Sequence, residues 1–298
     1  MQKEIHGFPF KAMGSACEIV IASTQDRPEL ASATQAAIEE VLRIESKYSR
    51  YRADSIVSRI NAAAGQFAVE CDDETWNLLQ FAEQLFDLSD GLFDITAGIL
   101  RQAWDFKQAI VPKREQLEEL CSRISWASCE REQQNIFLPQ RGMEIDFGGF
   151  GKEYAADRAA MVLQAHGLQH GYVNLGGDIH FLGPKLDGSS WNIGIQHPRK
   201  KGELIASIPL QQGGLATSGD YEKYFELDGQ HYCHILNPKS GMPVRYWASV
   251  SVVGPNSLIA GSYSTIAMLL EDKAIDFLNA TEFKYLAVDS ALEIQLKQ

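Results

Sequence analysis

Apolar residues recur at helical spacing through most of the first 145 residues. Between residues 28 and 48, after a proline suited to a helix start, they predict one long helix. A second helix is predicted after Asp72-Asp73 that ends at Gly91, and a third over about 114–124. One predicted strand, residues 15–22, precedes these helices.

Beyond residue 145 the pattern changes to short apolar runs, which are typical of strands. Asp228-Gly229 predicts a tight hairpin turn between two of them. Two further helices are predicted over about 256–270 and near 273–279. The predicted strands cover 171–175, 179–183, 191–195, 203–210, 221–227, 231–236, 248–253, 284–288 and 292–296. A helix-rich half followed by a strand-rich half indicates an α+β protein, with two lobes as one arrangement.

The most informative segment is residues 146–157, Asp-Phe-Gly-Gly-Phe-Gly-Lys-Glu-Tyr-Ala-Ala-Asp. It follows a predicted short strand over 143–147 and passes through three glycines into a predicted helix. The free amides and positive dipole end of such a helix suit an anion, and Lys152 adds a positive charge. Asp146 is then a polar group beside a phosphate-type site. A tight turn that needs its glycines for steric reasons alone explains the pattern equally well.

This segment differs from the two familiar phosphate-binding motifs. In a P-loop, Asp146 would have to be Gly and Glu153 would have to be Ser or Thr. In a dinucleotide fingerprint that starts at Gly149, Tyr154 would have to be the third glycine. A phosphate ligand would therefore be held by backbone amides, single cations or a metal.

Composition and charge narrow the class of protein. The chain has 298 residues with 45% hydrophobic and 22% charged positions, as in an ordinary globular protein. Its net charge of −12, without a Lys/Arg-rich run, argues against nucleic acid and anionic membranes as partners. Five cysteines without a CxxC motif favour neither a zinc cluster nor a disulfide framework. With no signal peptide and no membrane-length apolar run, we expect a cytoplasmic protein without stable membrane insertion; a trimmed form of an exported protein is the alternative.

Three further segments carry candidate binding groups, each with a structural alternative. The arginines and tyrosines of Tyr48–Arg52 could grip phosphate or form a solvated helix end. Asp94, in an apolar context, could meet the polar edge of a ligand or cap a helix. The paired glycines of 174–178 allow close approach of a ligand or form a turn.

Hydroxyl groups and histidines concentrate in the C-terminal half. Residues 214–221 lead into a hairpin with His231 and His234, and this mixture of hydroxyls, a carboxylate and imidazoles favours a site. The hydroxyls of 262–265 could bond back to their own helix or offer oxygens to a hard cation.

Seven short pieces, taken in order, resemble the ApbE family of FAD:protein FMN transferases. They are Met-Gly-Ser from residue 13, Tyr-Ser-Arg-Tyr-Arg-Ala-Asp-Ser from 48, Gly-Leu-Phe-Asp-Ile-Thr from 91, Asp-Phe-Gly-Gly-Phe-Gly-Lys from 146, Asn-Leu-Gly-Gly-Asp from 174, Ala-Thr-Ser-Gly-Asp-Tyr from 216 and His-Ile-Leu-Asn-Pro-Lys-Ser-Gly from 234. Each is weak alone, but seven in order are specific. The resemblance implies one domain over 1–298, helix-rich over about 1–145 and strand-rich over about 146–298. It implies a two-lobed α+β fold with mixed sheets, flanking helices and a ligand cleft between the lobes.

The resemblance also implies an activity and a set of site residues. Such an enzyme splits the pyrophosphate of FAD, joins the FMN half to a Thr or Ser hydroxyl of a target flavoprotein, and releases AMP. The resemblance implies that His234 assists the attack of the hydroxyl, and that the Gly149 carbonyl and the Thr265 hydroxyl bind Mg²⁺. The residues that it assigns to FAD are Met13, Leu92, Phe93, Asp94, Asp146, Lys152, Ser218 and Ile235.

One departure from the family pattern bears on the metal. The family usually carries Asp four residues before the Thr that matches Thr265, and here that position is Gly261. Since Mg²⁺ favours carboxylate oxygen, the site needs a replacement. The candidate replacements are Ser262, Ser264, Asp220, and a ligand phosphate with extra waters. Glu153 also stands where the family commonly has Gly, which predicts a changed turn.

Two functions stay open from the sequence. One is a Mg²⁺-dependent FMN transferase; the other is an FAD-binding or slow FAD-hydrolysing protein whose transfer activity is lost with the carboxylate at 261. Restoring that carboxylate by Gly261→Asp would separate them. A scaffold without a ligand is disfavoured, because Asp94, Asp146, the glycine turn and the histidine hairpin would all have to be structural. The acceptor protein and the oligomeric state leave no signature in the sequence.

Overall fold

A computed structural model of the chain describes residues 4–297. Its strands are β1 Glu4–Ala12, β2 Ser15–Ser23, β3 Val69–Glu70, β4 Glu130–Glu132, β5 Asn135–Phe137, β6 Gly171–Leu175, β7 Asp178–Gly183, β8 Trp191–Gln196, β9 Leu204–Leu210, β10 Gly213–Gly219, β11 Tyr224–Leu227, β12 Gln230–Cys233, β13 Trp247–Gly254, β14 Lys284–Asp289 and β15 Ile294–Lys297. Its α-helices are α1 Arg27–Tyr48, α2 Ile56–Ala62, α3 Asp73–Leu88, α4 Arg114–Cys121, α5 Gly151–Ala165, α6 Ser257–Leu270 and α7 Ala274–Asn279. Short 3₁₀ helices cover Ile95–Gln102, Trp126–Ser128 and Glu271–Lys273. No helix in this part of the chain combines the length and apolar character that a membrane crossing requires.

The main sheet runs in the order β1-β2-β6-β7-β10-β13-β14-β15. In it, β2 pairs with β6, so the N-terminal and C-terminal halves of the chain share one sheet. The α+β class is confirmed, but the mixed sheets that the resemblance implies do not form, since every strand pairing within residues 4–297 is antiparallel. Short turns such as those between β1 and β2 and between β6 and β7 join antiparallel strands, because a parallel pair needs a long crossover.

One strand at the centre of this sheet, β10, is missing from the predicted elements. Its sequence, Gly-Gly-Leu-Ala-Thr-Ser-Gly, lacks the apolar alternation that marks a strand. The small residues are needed because α6 lies directly against the strand. A Cβ at Gly214 would come 2.1 Å from the backbone carbonyl carbon of Asn256, which precedes α6. The composition of β10 therefore brings α6 onto the sheet.

Helices and a hairpin cover the two faces of the main sheet. On one face, α5 contacts both α1 and α6, and its alanines at 155, 156, 159 and 160 are fully buried. On the other face, the hairpin of β8 and β9 packs through Trp191 and Leu210 onto side chains such as Phe181. Alternate residues of β2 join the two cores, as the period of two in a strand requires. The layer of α1, α5 and α6 positions the candidate site.

The predicted helices of the N-terminal half are confirmed, and one predicted strand is wrong. The long helix forms as α1, whose start is closed by a reciprocal capping box between Asp26 and Glu29. Residues 143–147 form no strand. Instead, the Ile145 amide donates to the Asn61 side chain at 2.7 Å, and the Asn61 amide donates back to the Ile145 carbonyl at 3.0 Å. A side chain has thus taken the hydrogen bonds that a neighbouring strand would have supplied.

Candidate active site

Asp146 is fixed in the turn that precedes α5. Its carboxylate forms an ion pair with Arg50 and accepts a hydrogen bond from the Gly148 amide at 3.0 Å. A Cβ at Gly98 would lie 2.5 Å from the Asp146 Cβ, so the carboxylate is also enclosed by close packing. Of the arginines after α1, Arg50 is therefore the one that reaches this turn, whereas Arg52 stays in an exposed ion pair.

Lys152, in the first turn of α5, connects this turn to two other loops. Its ammonium lies 2.6 Å from the buried carboxylate of Asp178, at the end of the β6–β7 turn. A Cβ at Gly176 would lie 3.7 Å from the same ammonium and 2.8 Å from Ser15, which follows the β1–β2 turn. Burial lowers the pKa of Lys152, but Asp178 and Glu153 outweigh burial and raise the pKa above its usual value. A permanent positive charge therefore stands at the start of a helix whose first turn no side chain caps.

The segment around Asp94 packs against the glycine turn that precedes α5. The Phe93 ring is buried, and a Cβ at Gly149 would lie 2.8 Å from it. One oxygen of Asp94 accepts from the Thr96 amide at 2.7 Å and the Thr96 hydroxyl at 2.6 Å, and the other accepts from the Trp126 amide at 3.1 Å. Burial raises the pKa of Asp94, although these hydrogen bonds oppose it. In this structure Asp94 caps a 3₁₀ helix, as the structural alternative describes.

A cluster of hydroxyls forms where β10 meets α6. The Ser218 hydroxyl lies 2.6 Å from that of Ser264 and 3.0 Å from that of Thr265. Ser262, in contrast, donates to the helix carbonyl four residues earlier at 2.7 Å. Ser218 and Thr265, which the resemblance assigns to FAD and to Mg²⁺, are therefore direct neighbours, and Ser262 is turned into its own helix.

Asp220, one of the candidate replacements for the missing metal ligand, instead forms an ion pair with Arg199. It is buried, and its two carboxylate oxygens accept from the Arg199 guanidinium at 2.6 and 2.7 Å. Its amide donates to the Ala248 carbonyl at 3.0 Å. A bidentate pair of this kind engages both oxygens, so Asp220 does not fill the gap left at position 261.

The Glu153 side chain fills the space in front of Gly261. A Cβ at Gly261 would lie 2.5 Å from Glu153 Cγ and 2.7 Å from its Oε1. Glu153 is 8% exposed, and its Oε2 has no hydrogen-bond partner among the residues that the structure describes. Burial, together with the negative charge of Asp178, raises the pKa of Glu153. Sequence reasoning missed this contact, although two departures from the family pattern, at 153 and at 261, pointed to it.

His234 lies at the end of β12, where the chain enters the loop before β13. Its amide donates to the Lys223 carbonyl at 3.0 Å, and the residue is exposed. Surrounding protein, with the charges of Lys223 and Lys152, lowers the pKa of His234. Because the residue is exposed, water screens part of that lowering. The next residue, Ile235, is half-buried and accepts from the Val244 amide at 3.0 Å, which closes the loop.

The contact of Glu153 with Gly261 brings the start of α5 next to α6. Met13 lies at the neighbouring β1–β2 turn, where its amide donates to Glu45 at 2.7 Å, and Leu92 is half-buried next to Phe93. Within residues 4–297, no group of three or more His, Cys, Asp and Glu side chains is arranged to hold a metal ion. A cation at this junction would therefore need mixed oxygen ligands.

Comparison with known proteins identifies the family of the chain. The ApbE family model matches residues 13–287. An FAD:protein FMN transferase from Haemophilus influenzae is 29% identical over 282 residues, which cover 89% of this chain and 81% of the relative. Another from Treponema pallidum is 31% identical over 281 residues, which cover 87% of this chain and 76% of the relative.

Solved structures give the same result for the fold. An ApbE protein from Thermotoga maritima superposes with a TM-score of 0.91 at 32% identity, covering 99% of this chain and 97% of that one. The apo flavinyl transferase ApbE from Pseudomonas stutzeri gives a TM-score of 0.85 at 27% identity, covering 100% and 96%. Since the family model and the superposed fold both extend over most of its length, the chain belongs to the ApbE family.

Proposed function

We propose that this chain transfers the FMN moiety of FAD to a Thr or Ser hydroxyl of a target flavoprotein and releases AMP, with Mg²⁺. The single observation that carries the proposal is the junction of the α5 turn with α6. There, Glu153 lies against Gly261, and its neighbour in the chain, Lys152, pairs with Asp178. The Thr265 hydroxyl, one turn further along α6, lies next to that of Ser218. Asp146, in the turn before α5, is part of the same proposed site. We infer that the FAD pyrophosphate binds at this junction.

The proposed step is a displacement at phosphorus. The acceptor oxygen forms a bond to the phosphorus of the FMN half, the bond from that phosphorus to the bridging oxygen breaks, and AMP leaves with that oxygen. Such a step depends on positioning and charge neutralisation. Lys152, kept charged by Asp178, and the uncapped amides of α5 would orient and neutralise the pyrophosphate. His234, whose lowered pKa keeps it neutral at pH 7, would accept the hydroxyl proton.

The residues at the junction fit a hard cation. The Gly149 carbonyl and the Thr265 hydroxyl would hold Mg²⁺. The Glu153 side chain, from α5, lies against Gly261, which is one helical turn before Thr265 on α6, and its Oε2 has no hydrogen-bond partner among the residues that the structure describes. When bound, Mg²⁺ would neutralise pyrophosphate charge. Binding of FAD by the remaining residues is part of the same proposal; they are Met13, Leu92, Phe93, Asp94 and Ile235.

The test incubates the full chain with FAD, Mg²⁺ and a Thr-bearing acceptor protein. We expect flavin fluorescence on the acceptor in a denaturing gel and an equal amount of AMP by chromatography, both abolished by EDTA. Lys152→Met should lower kcat/KM by about 100-fold or more, and Lys201→Met, an exposed lysine away from the junction, should not. If no divalent metal gives AMP or labelled acceptor, the transferase proposal is wrong.

A second candidate is an FAD-binding protein without transfer activity. It is favoured by Gly261, which removes the carboxylate that the family usually carries there. It predicts the same rise in melting temperature on adding FAD with Mg²⁺ or with EDTA, and no AMP. A rise that requires Mg²⁺ would favour the transferase.

A further inference from the structure

A carboxylate stands at the position where α6 lacks one. We propose that Glu153, on α5, is the carboxylate ligand of the divalent cation in this chain, replacing the Asp that the family carries at the position of Gly261. The inference rests on the proposed function, because the cation is the one that the transfer would use.

The first argument is steric. The Glu153 Cδ lies 2.9 Å, and its Oε1 2.7 Å, from where the Cβ of a residue at 261 would be. The carboxyl group of Glu153 thus occupies the space in which a short side chain on α6 would place its own. With Glu153 in this conformation only Gly fits at position 261, because a Cβ there would meet Glu153 Cγ at 2.5 Å. The two departures from the family pattern are therefore one exchange, in which the acid has moved from α6 to α5.

The second argument is the missing partner. Glu153 is 8% exposed, and its Oε2 makes no hydrogen bond to any residue that the structure describes. The nearby cation, Lys152, is already 2.6 Å from Asp178. A buried carboxylate oxygen without a partner is costly, and a bound cation is one of the groups that compensate such an oxygen.

The third argument is the set of oxygens around it. Thr265 lies one turn beyond Gly261 on the same face of α6, and Gly149 lies in the turn just before α5, four residues ahead of Glu153. One carboxylate, one hydroxyl and one carbonyl are hard ligands that suit Mg²⁺ or Mn²⁺, with phosphate oxygens and water in the remaining positions.

The test measures Mn²⁺ binding to the full chain by the loss of the EPR signal of free Mn²⁺. It is made under two conditions: with Mn²⁺ alone, and with Mn²⁺ and FAD at a low temperature that slows FAD turnover. Glu153→Gln should weaken Mn²⁺ binding by about 10-fold or more. The double variant Glu153→Gly, Gly261→Asp should restore the Kd to within roughly threefold. Gly261→Asp alone should not improve binding and should lower the melting temperature, because the new side chain collides with Glu153.

A matched control removes a different negative charge near Lys152. Glu222 is exposed and also raises the pKa of Lys152, so Glu222→Gln tests whether charge alone matters. We expect it to leave the Mn²⁺ Kd unchanged. The proposal is overturned if Glu153→Gln and wild type bind Mn²⁺ equally, if the double variant fails to recover binding while its circular dichroism spectrum is native, or if wild type binds no Mn²⁺ under either condition.

Failure of this inference and failure of the proposed function give different results. If wild type makes neither AMP nor labelled acceptor, but binds Mn²⁺ more tightly than Glu153→Gln does, the assignment of Glu153 as a metal ligand is supported and the transferase proposal is wrong. If wild type transfers FMN and Glu153→Gln retains both transfer and Mn²⁺ affinity, the transferase stands and the ligand assignment does not.

Discussion

Glu153 and Asp157 lie one turn apart on α5 and both contact α6, but they differ in how many hydrogen bonds their carboxylates accept. Both are 8% exposed. Asp157 accepts from the Ser257 amide at 2.8 Å, the Leu258 amide at 3.0 Å and the His180 ring at 2.7 Å. Glu153 leaves one oxygen without a partner.

The difference gives Asp157 a structural role and supports the ligand role that we propose for Glu153. Asp157 caps the start of α6, where the first amides of a helix need acceptors and its dipole favours a negative charge. Glu153 lies one turn further toward the N-terminus of α5, where α6 offers only Gly261. Burial alone does not distinguish the two residues; the number of donors that each one meets does.

The largest expected effect on stability is that of Asp157→Ala. It leaves the buried Ser257 amide and the half-buried Leu258 amide at the start of α6 without an acceptor, which should cost about 2–4 kcal/mol in the free energy of unfolding. Urea denaturation measures this loss, and Asp157→Asn, which keeps one acceptor oxygen, should lose less. A change below about 0.5 kcal/mol would show that the cap does not stabilise α6.

Lys152→Met should have the next largest effect, because it leaves the Asp178 carboxylate buried without its cation. We expect a loss of roughly 1–3 kcal/mol at neutral pH, reduced from a fully buried pair since Lys152 is partly exposed. Urea denaturation should show the deficit growing as pH rises, because Asp178 and Glu153 must then ionise without Lys152. A pH-independent deficit would argue against this electrostatic cause.

His180→Ala removes one of the three donors to Asp157 and leaves its two backbone donors. The expected cost is about 1 kcal/mol, the usual net worth of one hydrogen bond. Combining it with Asp157→Ala should add less than the sum of the two single changes, because they share one interaction. Full additivity in urea denaturation would mean that His180 stabilises the fold independently of Asp157.

Glu153→Gln should have the smallest effect on stability, below about 1 kcal/mol near pH 5, because no partner is lost. Whether Glu153→Gln lowers or raises the free energy of unfolding should depend on pH. The raised pKa means that folded Glu153 keeps a proton which the unfolded chain releases above about pH 4.5. In EDTA, wild type should therefore lose stability as pH rises above that value, and the variant should lose less. Urea denaturation at about pH 5 and about pH 8 measures the difference, and parallel declines would contradict this account of Glu153.

Much of the fold could be predicted from the sequence because the signals are local. Helix α1 was predicted from its proline and apolar spacing, and the Asp228-Gly229 turn from residues that tolerate positive φ. The start of α5 after the glycines was also predicted, whereas its nearness to α6 was implied only by the family resemblance, which assigns one Mg²⁺ to Gly149 and Thr265. Strand β10 could not be, because its small residues reflect the packing of α6, and the single-domain organisation with two lobes stays a prediction.

By itself, the sequence determined the family resemblance, the order of most of the helices and of many strands, and the identity of the reactive side chains. Tertiary structure decided which of them meet: Arg50 with Asp146, Lys152 with Asp178, and Glu153 with Gly261. The members of the last pair lie on different helices and far apart in the chain, so no local period or propensity connects them. Only the packing of α5 on α6 brings a carboxylate to a helix that has lost its own.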